Sequence, residues 1–117
     1  MNINDFNRLY RRTVKNISDG STTVRLKLNR IRARKIRTLT HVSVENKTTA
    51  YTKCRLGIDN GGVDFYLDEL QTIAADELIV SRSKILLGEG DVFFAELTGT
   101  TLNDNLVMTC VGWEVDL

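Results

Sequence analysis

The residue types that most often carry catalysis are sparse in this chain of 117 residues. His41 is the only histidine, and it belongs to no recognisable motif that combines a nucleophile, a general base and an acidic partner. Cys54 and Cys110 have no His or Cys at a zinc-ligand spacing, so we expect two buried, reduced thiols. The sequence therefore predicts no catalytic residue, no metal ligand, no cofactor and no enzymatic activity.

Two glycine-containing segments have some features of ligand loops. Residues 59–64 (DNGGVD) offer oxygen ligands, but they lack the alternating acids and the closing Glu of an EF-hand, so a calcium loop is the weaker interpretation. Residues 88–90 (GEG) lack the third glycine and the following helix of a nucleotide loop. We interpret both segments as turns, since glycine adopts positive φ at no steric cost.

A basic run in the first third of the chain is the best candidate for a binding surface. On strands, such residues form a stripe that can neutralise phosphates with a salt-dependent affinity. No aromatic residues are interleaved to stack on bases, so an acidic protein surface is the preferred partner and nucleic acid the alternative. The run consists of Arg25, Lys27, Arg30, Arg32, Arg34, Lys35 and Arg37.

The net charge of +1 conceals a strong asymmetry between the two halves of the chain. Residues 1–55 contain 14 Lys and Arg against three acids, a net of +11, whereas residues 56–117 contain two basic residues against 12 acids, a net of −10. Such a split indicates nucleic acid, an acidic partner, or self-association in which the basic part of one copy meets the acidic part of the next.

Most of the chain has the period of two that is typical of β-strands. Apolar residues alternate with polar ones over residues 24–36, 39–46, 51–58, 63–67, 92–97 and 106–115, with Gly, Asn and Asp between them, while residues 68–76 are expected to be irregular. The fold class predicted is mainly β, an antiparallel, jelly-roll-like β-sandwich over residues 21–117. The predicted core consists of Leu26, Leu28, Val42, Val44, Leu56, Ile58, Phe65, Phe93, Leu97, Val107 and Trp113.

The N-terminal segment, residues 1–20, has a different pattern. Its apolar residues recur at steps of three or four and its basic residues fall between them, which predicts a short amphipathic basic helix. Because a two-layer sandwich covers its own inner faces, we expect this helix to be an arm that docks on another chain. The predicted contact residues are Ile3, Phe6, Leu9 and Tyr10, with Arg8, Arg11, Arg12 and Lys15 at the rim.

Three of the predicted strand-and-turn stretches point to a known family. Residues 34–46 (RKIRTLTHVSVEN), residues 85–92 (ILLGEGDV) and residues 106–113 resemble the small jelly-roll-like β-sandwich virion structural proteins of tailed bacteriophages. In that family a Lys-containing turn leads into an L-T-x-V-x-V-x-N strand, and an L-x-x-G-D turn precedes a late hairpin. The resemblance implies a multi-copy component of the virion, made in the host cytoplasm, with no catalytic residues.

These observations lead to one preferred function and two alternatives. We expect a non-enzymatic bacteriophage virion structural protein that forms homo-oligomers and docks on a larger lattice of capsid, portal, neck or tail proteins, for instance as a capsid decoration protein. The alternatives are a nucleic-acid-binding β module that uses the basic half, and a carbohydrate-binding sandwich, for which the sequence offers no evident aromatic platform. No membrane partner is expected, since no stretch approaches about 18 consecutive apolar residues.

Overall fold

The computed structural model describes residues 7–117, and this part of the chain is built from nine β-strands. No helix capable of spanning a bilayer occurs among residues 7–117. The predicted mainly β fold is therefore confirmed. The strands are β1 (Asn7–Ile17), β2 (Thr23–Lys27), β3 (Lys35–Asn46), β4 (Tyr51–Asn60), β5 (Val63–Ile73), β6 (Ile79–Ser81), β7 (Ile85–Leu87), β8 (Asp91–Thr98) and β9 (Asn105–Asp116).

The strands form two antiparallel sheets that pack face to face. The first sheet has the order β1-β9-β3-β6, and β7 also pairs with β3, further along that strand. The second sheet has the order β2-β8-β4-β5. The architecture is a β-sandwich with β1 at one edge of the first sheet, the short strands β6 and β7 at its other edge, and β2 and β5 at the two edges of the second sheet.

The core lies between the two inner faces, as period-two alternation requires. Its largest members include Phe93 and Met108, both fully buried. Ile58 is half-buried and packs against this core. The predicted core residues that are confirmed as buried are Leu26, Leu28, Val42, Val44, Leu56, Phe93 and Leu97.

Three predicted core residues are wrong. On β9 the inward face carries Leu106, Met108 and Cys110, so Val107 and Trp113 point outward, and Trp113 is 50% exposed. Both faces of β9 are apolar, so alternation alone could not select the correct one, and a shift of one residue exchanges the faces. Phe65 is 56% exposed because it lies on the edge strand β5.

The predicted N-terminal helix is also wrong over its described part. Residues 7–17 form strand β1, which pairs with β9 along its whole length, from Asn7 opposite Val115 to Ile17 opposite Asn105. Tyr10 and Val14 are partly buried and pack against the core, whereas Leu9 faces outward and is 70% exposed. A spacing of four fits a strand face as well as a helix face. The open edge of β9 gives the segment hydrogen-bond partners that a short isolated helix lacks.

Two of the predicted contact residues, Ile3 and Phe6, lie outside the described residues. The division of the chain at residue 20 stays a prediction.

The sheet topology interleaves the basic and acidic halves of the chain. Every strand pairing joins one of the strands β1–β4 to one of the strands β5–β9. Most ion pairs therefore connect the two halves, so the charge separation along the sequence is partly neutralised within one molecule. The pairs that cross between the halves are Arg8–Asp116, Arg25–Asp64, Arg25–Glu96, Lys35–Glu114, Lys35–Asp116, Arg37–Glu114 and Arg55–Glu69.

Candidate assembly and binding surfaces

Strand β5 is exposed along almost its whole length. Only its last residue, Ile73, is buried, while Val63, Phe65 and Leu67 are each exposed by half or more. The strand is the last in the second sheet, and the strands β6 and β7 that face it across the sandwich are only three residues long. A long edge strand with apolar side chains is a ready template for pairing with another chain.

The sandwich is open between β5 and the strands β6 and β7. One cleft of about 200 Å³ is lined by Asp68 and Leu70 from β5 and by Ile79 and Val80 from β6. A second cleft, of about 300 Å³, is lined by Leu67 and by residues 83–86. The exposed inner face of β5 therefore borders both clefts. We call this end of the sandwich, between β5 and the strands β6 and β7, the open side.

The outer face of the first sheet carries a row of three apolar residues and one threonine that crosses four strands, which we call the apolar row. Leu9 lies opposite Trp113, Trp113 opposite Thr38, and Thr38 opposite Leu86. Leu9 and Leu86 are each 70% exposed. The only tryptophan of the chain therefore lies on the surface. The sequence contains one signal for this position. Leu106, Met108 and Cys110 alternate on one face of β9, and Trp113 falls on the opposite face.

The structure separates the contact residues predicted for the N-terminal segment onto the two faces of β1. Tyr10 faces inward beneath the guanidinium of Arg37, whose Cζ lies 4.0 Å from the ring centre, and burial raises the pKa of the Tyr10 hydroxyl. Arg8 forms an ion pair with Asp116 at 3.2 Å. The remaining described members of the set, Leu9, Arg11, Arg12 and Lys15, are exposed.

Four residues of the predicted basic run share one cleft of about 460 Å³, which we call the basic cleft. Its lining consists of Arg30, Arg32, Lys35 and Arg37, together with Asn29 and Glu114. Arg37 is buried and donates hydrogen bonds to Oε2 of Glu114 from Nη2 at 2.9 Å and from Nε at 3.2 Å. Lys35 approaches the same carboxylate at 3.9 Å. Glu114 thus neutralises part of the cleft, and Arg30 and Arg32 are exposed at its margin.

The other three residues of the basic run do not line this cleft. Arg25 lies on the outer face of the second sheet, where its guanidinium covers the buried ring of Phe94 at 4.0 Å. It donates to Asp64 at 2.6 Å and to Glu96 at 2.9 Å, and the hydrogen bond to Asp64 raises the pKa of Arg25. Arg25 is therefore fully engaged within the chain. Lys27 and Arg34 are exposed, and Arg34 has a positive φ of 62°.

The candidate catalytic and metal-binding residues are not brought together. His41 lies on the outer face of β3 opposite Val111. Cys54 and Cys110 are buried free thiols, as predicted, and burial raises the pKa of each to about 12, so neither is a thiolate near neutral pH. Within the described part of the chain, no group of three or more His, Cys, Asp or Glu side chains is placed to hold a metal ion.

Both glycine segments form tight turns, as predicted. Gly61 and Gly62 join β4 to β5 with φ values of 62° and 87°, and the Gly62 amide donates to Asp59 Oδ1 at 3.0 Å. Such paired positive φ values are typical of a two-residue hairpin turn. At the second segment, the amide of Gly88 donates to Asp91 Oδ2 at 2.8 Å.

Comparison with known proteins identifies the fold but not a family. No protein-family model matches the sequence. No curated protein matches it either.

Solved structures do share the sandwich. A candidate alpha-L-fucosidase from Bacteroides thetaiotaomicron is similar over 84% of this chain and 21% of its own, at 6% identity and a TM-score of 0.53. A chain from the structure of infectious bursal disease virus, Gx strain, is similar over 97% of this chain and 32% of its own, at 10% identity and a TM-score of 0.51. The chain thus spans about a fifth and about a third of these two proteins.

A further similarity is to a chain from Bacillus endospore appendages, described as disulfide-linked pili. It covers 95% of this chain and 90% of the other, at 10% identity and a TM-score of 0.48. The two similarities with TM-scores above 0.5 support the β-sandwich fold alone. The resemblance to phage virion proteins stays a prediction.

Proposed function

We propose that the chain is a non-enzymatic structural protein of a bacteriophage virion, which assembles with copies of itself and docks on a larger protein lattice. The observation that carries the proposal is the exposed strand β5. Folded monomers protect a long edge strand with Pro, with covering loops or by keeping it short, because an open edge pairs with other chains. This chain contains no Pro, and β5 keeps five large apolar side chains exposed, namely Val63, Phe65, Tyr66, Leu67 and Leu70.

The apolar row on the outer face of the first sheet supports the second part of the proposal. Single exposed apolar residues are ordinary on protein surfaces, but contiguous ones mark contact sites. Leu9, Trp113 and Leu86 form a row across one flat sheet face, away from the β5 edge. A flat face with a central tryptophan suits docking on another protein, since Trp is enriched where interfaces are most tightly packed.

The phage assignment is supported by the strand-and-turn resemblance over residues 34–113. The L-T-x-V-x-V-x-N pattern lies in β3, with β4 following after a short turn, and residues 87–91 turn the chain into β8. The same sandwich occurs in a chain of a virus structure, which supports the proposal at the level of the fold.

The mass of the purified protein in solution tests self-assembly most directly. Size-exclusion chromatography with light scattering, over a range of concentrations, is expected to detect oligomers. The double variant Phe65→Ser/Leu67→Ser should shift the protein toward monomers without unfolding it, since both side chains are exposed within one molecule. Leu102→Ser is the matched control, because Leu102 is 59% exposed but lies in the loop between β8 and β9.

A wild-type protein that is monomeric at every concentration would contradict the proposed self-assembly. The phage assignment is tested separately, by mass spectrometry of phage particles purified from the cells whose DNA encodes this chain. Its peptides should be found in the purified virions at many copies per particle, and their absence would contradict that assignment.

The basic cleft favours a second candidate function, a nucleic-acid-binding module. Arg30 and Arg32 are exposed at its margin and could contact phosphates. Filter binding with a salt titration separates the two functions. Binding that weakens steeply with salt, and that Arg30→Ala/Arg32→Ala abolishes, would favour the nucleic-acid alternative. Absence of such binding is the result expected for the structural protein.

A further inference from the structure

The four sheet edges differ in length, and this limits which edges can pair between copies. β1 and β5 each have 11 residues, whereas β2 has five and β6 and β7 have three each. A pairing between β5 and any edge other than β1 or a second β5 would leave much of β5 unpaired. The full length of β5 therefore selects β1 or β5 as its partner.

Charge distinguishes between these two partners. β5 contains three acids and no basic residue. Asp64 and Glu69 are paired with Arg25 and Arg55 of the same molecule, and Asp68 has no ion-pair partner among the described residues. β1 contains four basic residues and no acid. Like charges on directly opposed strands are destabilising, whereas opposite charges are stabilising, so both β5 with β5 and β1 with β1 are disfavoured. The favourable combination is β5 with β1.

The order of strands within each sheet follows the same rule. In the second sheet the net strand charges are +2 for β2, −2 for β8, +1 for β4 and −3 for β5. In the first sheet they are +4 for β1, −2 for β9 and +1 for β3. Placing β1 of a second copy beside β5 continues the alternation of sign without interruption from the second sheet of one copy into the first sheet of the next.

The two edges also lie at opposite ends of the sandwich. β1 packs over β2, at one end, and β5 faces β6 across the open side, at the other. One molecule can therefore use both edges at once. A contact between two different surfaces of identical chains repeats from copy to copy, and it builds a closed ring or a filament.

We propose that β5 of each copy pairs with β1 of the next, so that the second sheet of one molecule and the first sheet of its neighbour become one continuous sheet. This inference rests on the proposed self-assembly and names the two surfaces that carry it. In the assembly, β1 covers the free edge of β5 and the acidic side chains of β5 face the basic ones of β1. Asp68 and Lys15 form no ion pair among the described residues of one molecule. In the assembly, the negative charge of Asp68 on β5 and the positive charge of Lys15 on β1 of the next copy contribute to the attraction between the two strands.

Charge reversal on each edge tests the pairing. The β1-reversed variant is Arg11→Glu/Arg12→Glu/Lys15→Glu, which changes the net charge of β1 from +4 to −2. The β5-reversed variant is Asp68→Lys/Glu69→Lys, which changes the net charge of β5 from −3 to +1. Each variant alone opposes like charges at every contact and should be monomeric by light scattering. Mixed in equal amounts, the two should assemble, because the acidic β1 of one variant then meets the basic β5 of the other at one contact, and the two native edges meet at the next.

The matched control is Arg30→Glu/Arg32→Glu/Arg82→Glu. It changes the net charge by the same amount as the β1 reversal, on exposed residues that belong to neither edge, and should assemble like the wild type. Circular dichroism and thermal melting establish that each variant is folded. Hydrogen exchange on the wild type gives a measurement that needs no variant: amides of β1 and β5 should exchange at least tenfold more slowly in concentrated than in dilute protein.

The outcomes separate this inference from the proposed function. A wild type that is always monomeric contradicts self-assembly itself. A wild type that assembles, together with reversed variants that also assemble alone, contradicts only the β5–β1 pairing. The same conclusion follows if the equal mixture stays monomeric, or if the amides of β1 and β5 exchange equally fast at both concentrations.

Discussion

Gly112 allows β9 to lie close to β3 where β3 has its irregularity. The register of the two strands shifts between Leu39 and His41, and a Cβ at position 112 would overlap the carbonyl oxygen of Thr38. Because that oxygen belongs to the backbone, Gly112→Ala should lower the free energy of unfolding by about 3 kcal/mol, measured by urea titration. Gly88→Ala is the control, since a Cβ there meets nothing within 4 Å, and equal effects of the two substitutions would refute the explanation.

Asp104 is a buried carboxylate that joins three segments at one end of the sandwich. Its Oδ2 accepts hydrogen bonds from Thr49 Oγ1 at 2.6 Å, from the Thr101 amide at 2.7 Å and from Asn46 Nδ2 at 2.8 Å. Burial alone would raise the pKa of Asp104, but these hydrogen bonds outweigh it and hold the pKa below the ordinary value of 3.8. The carboxylate is therefore a stabilising group in its ionised form.

The pH dependence of stability tests this role. Since the pKa of Asp104 is lowered in the folded state, its contribution is present above pH 3.8 and is lost as the pH falls through the folded value. Asp104→Asn should lower the free energy of unfolding by about 1–2 kcal/mol at pH 7, and the difference from wild type should shrink below pH 4. Thr49→Val should give a smaller effect with the same trend. A difference that stays constant down to pH 2 would be inconsistent with this assignment.

Among the elements, β1 permits a clear test because a helix and a strand group its residues differently. The helical pattern places Leu9 beside Tyr10 on one stripe, whereas the strand places Leu9 outward and Val14 inward. Val14→Asp should therefore cost about 2 kcal/mol of stability, and Leu9→Asp less than about 0.5 kcal/mol, by denaturant titration. Equal losses for the two variants would argue for the helix.

Most strands could be predicted from the sequence because their alternation is clean. β2, β3, β4 and β8 each set an apolar face against a polar one, and β4 and β8 were predicted close to their observed bounds. The alternation predicted over residues 24–36 was too long, because β2 ends at Lys27 and β3 begins at Lys35. β9 was located correctly but its face was not, because Val107 and Trp113 are as apolar as the residues that enter the core. β1 was missed because its structure depends on β9, a strand far away in the sequence. The second half of β5 was missed because its apolar and polar residues do not alternate cleanly.

The candidate surfaces were less accessible to prediction than the fold. The basic run was recognised from residue types, but its division into the basic cleft and the internally paired Arg25 depends on which strands become neighbours. The edge at β5 arises from sheet order, and the apolar row from register across four strands. Neither the order of strands in a sheet nor the register between strands is encoded in a local sequence pattern.

At the scale of the whole molecule, the single tryptophan distinguishes the two proposed surfaces. Trp113 lies on β9, next to the assembly edge β1, but its side chain points out of the sheet on the outer face. Edge-to-edge pairing of β1 with β5 leaves that face open, so self-assembly should leave the quenching of Trp113 fluorescence by acrylamide unchanged between dilute and concentrated protein. A Phe65→Trp/Trp113→Phe variant moves the reporter to β5, where quenching should fall on assembly. Strong protection of Trp113 in the oligomer would instead assign self-assembly to the apolar row.

The interleaving of the two halves also determines the order in which the chain can fold during synthesis. Of all the strand pairings, only β4 with β5 joins consecutive strands, through the turn at Gly61 and Gly62. Every other strand of the basic half pairs with a strand that leaves the ribosome later, and β1 cannot pair until β9 has been made. Such non-local topologies fold slowly. The β4–β5 hairpin is the first part able to form, so the edge assigned to assembly can exist before the rest of the sandwich has folded.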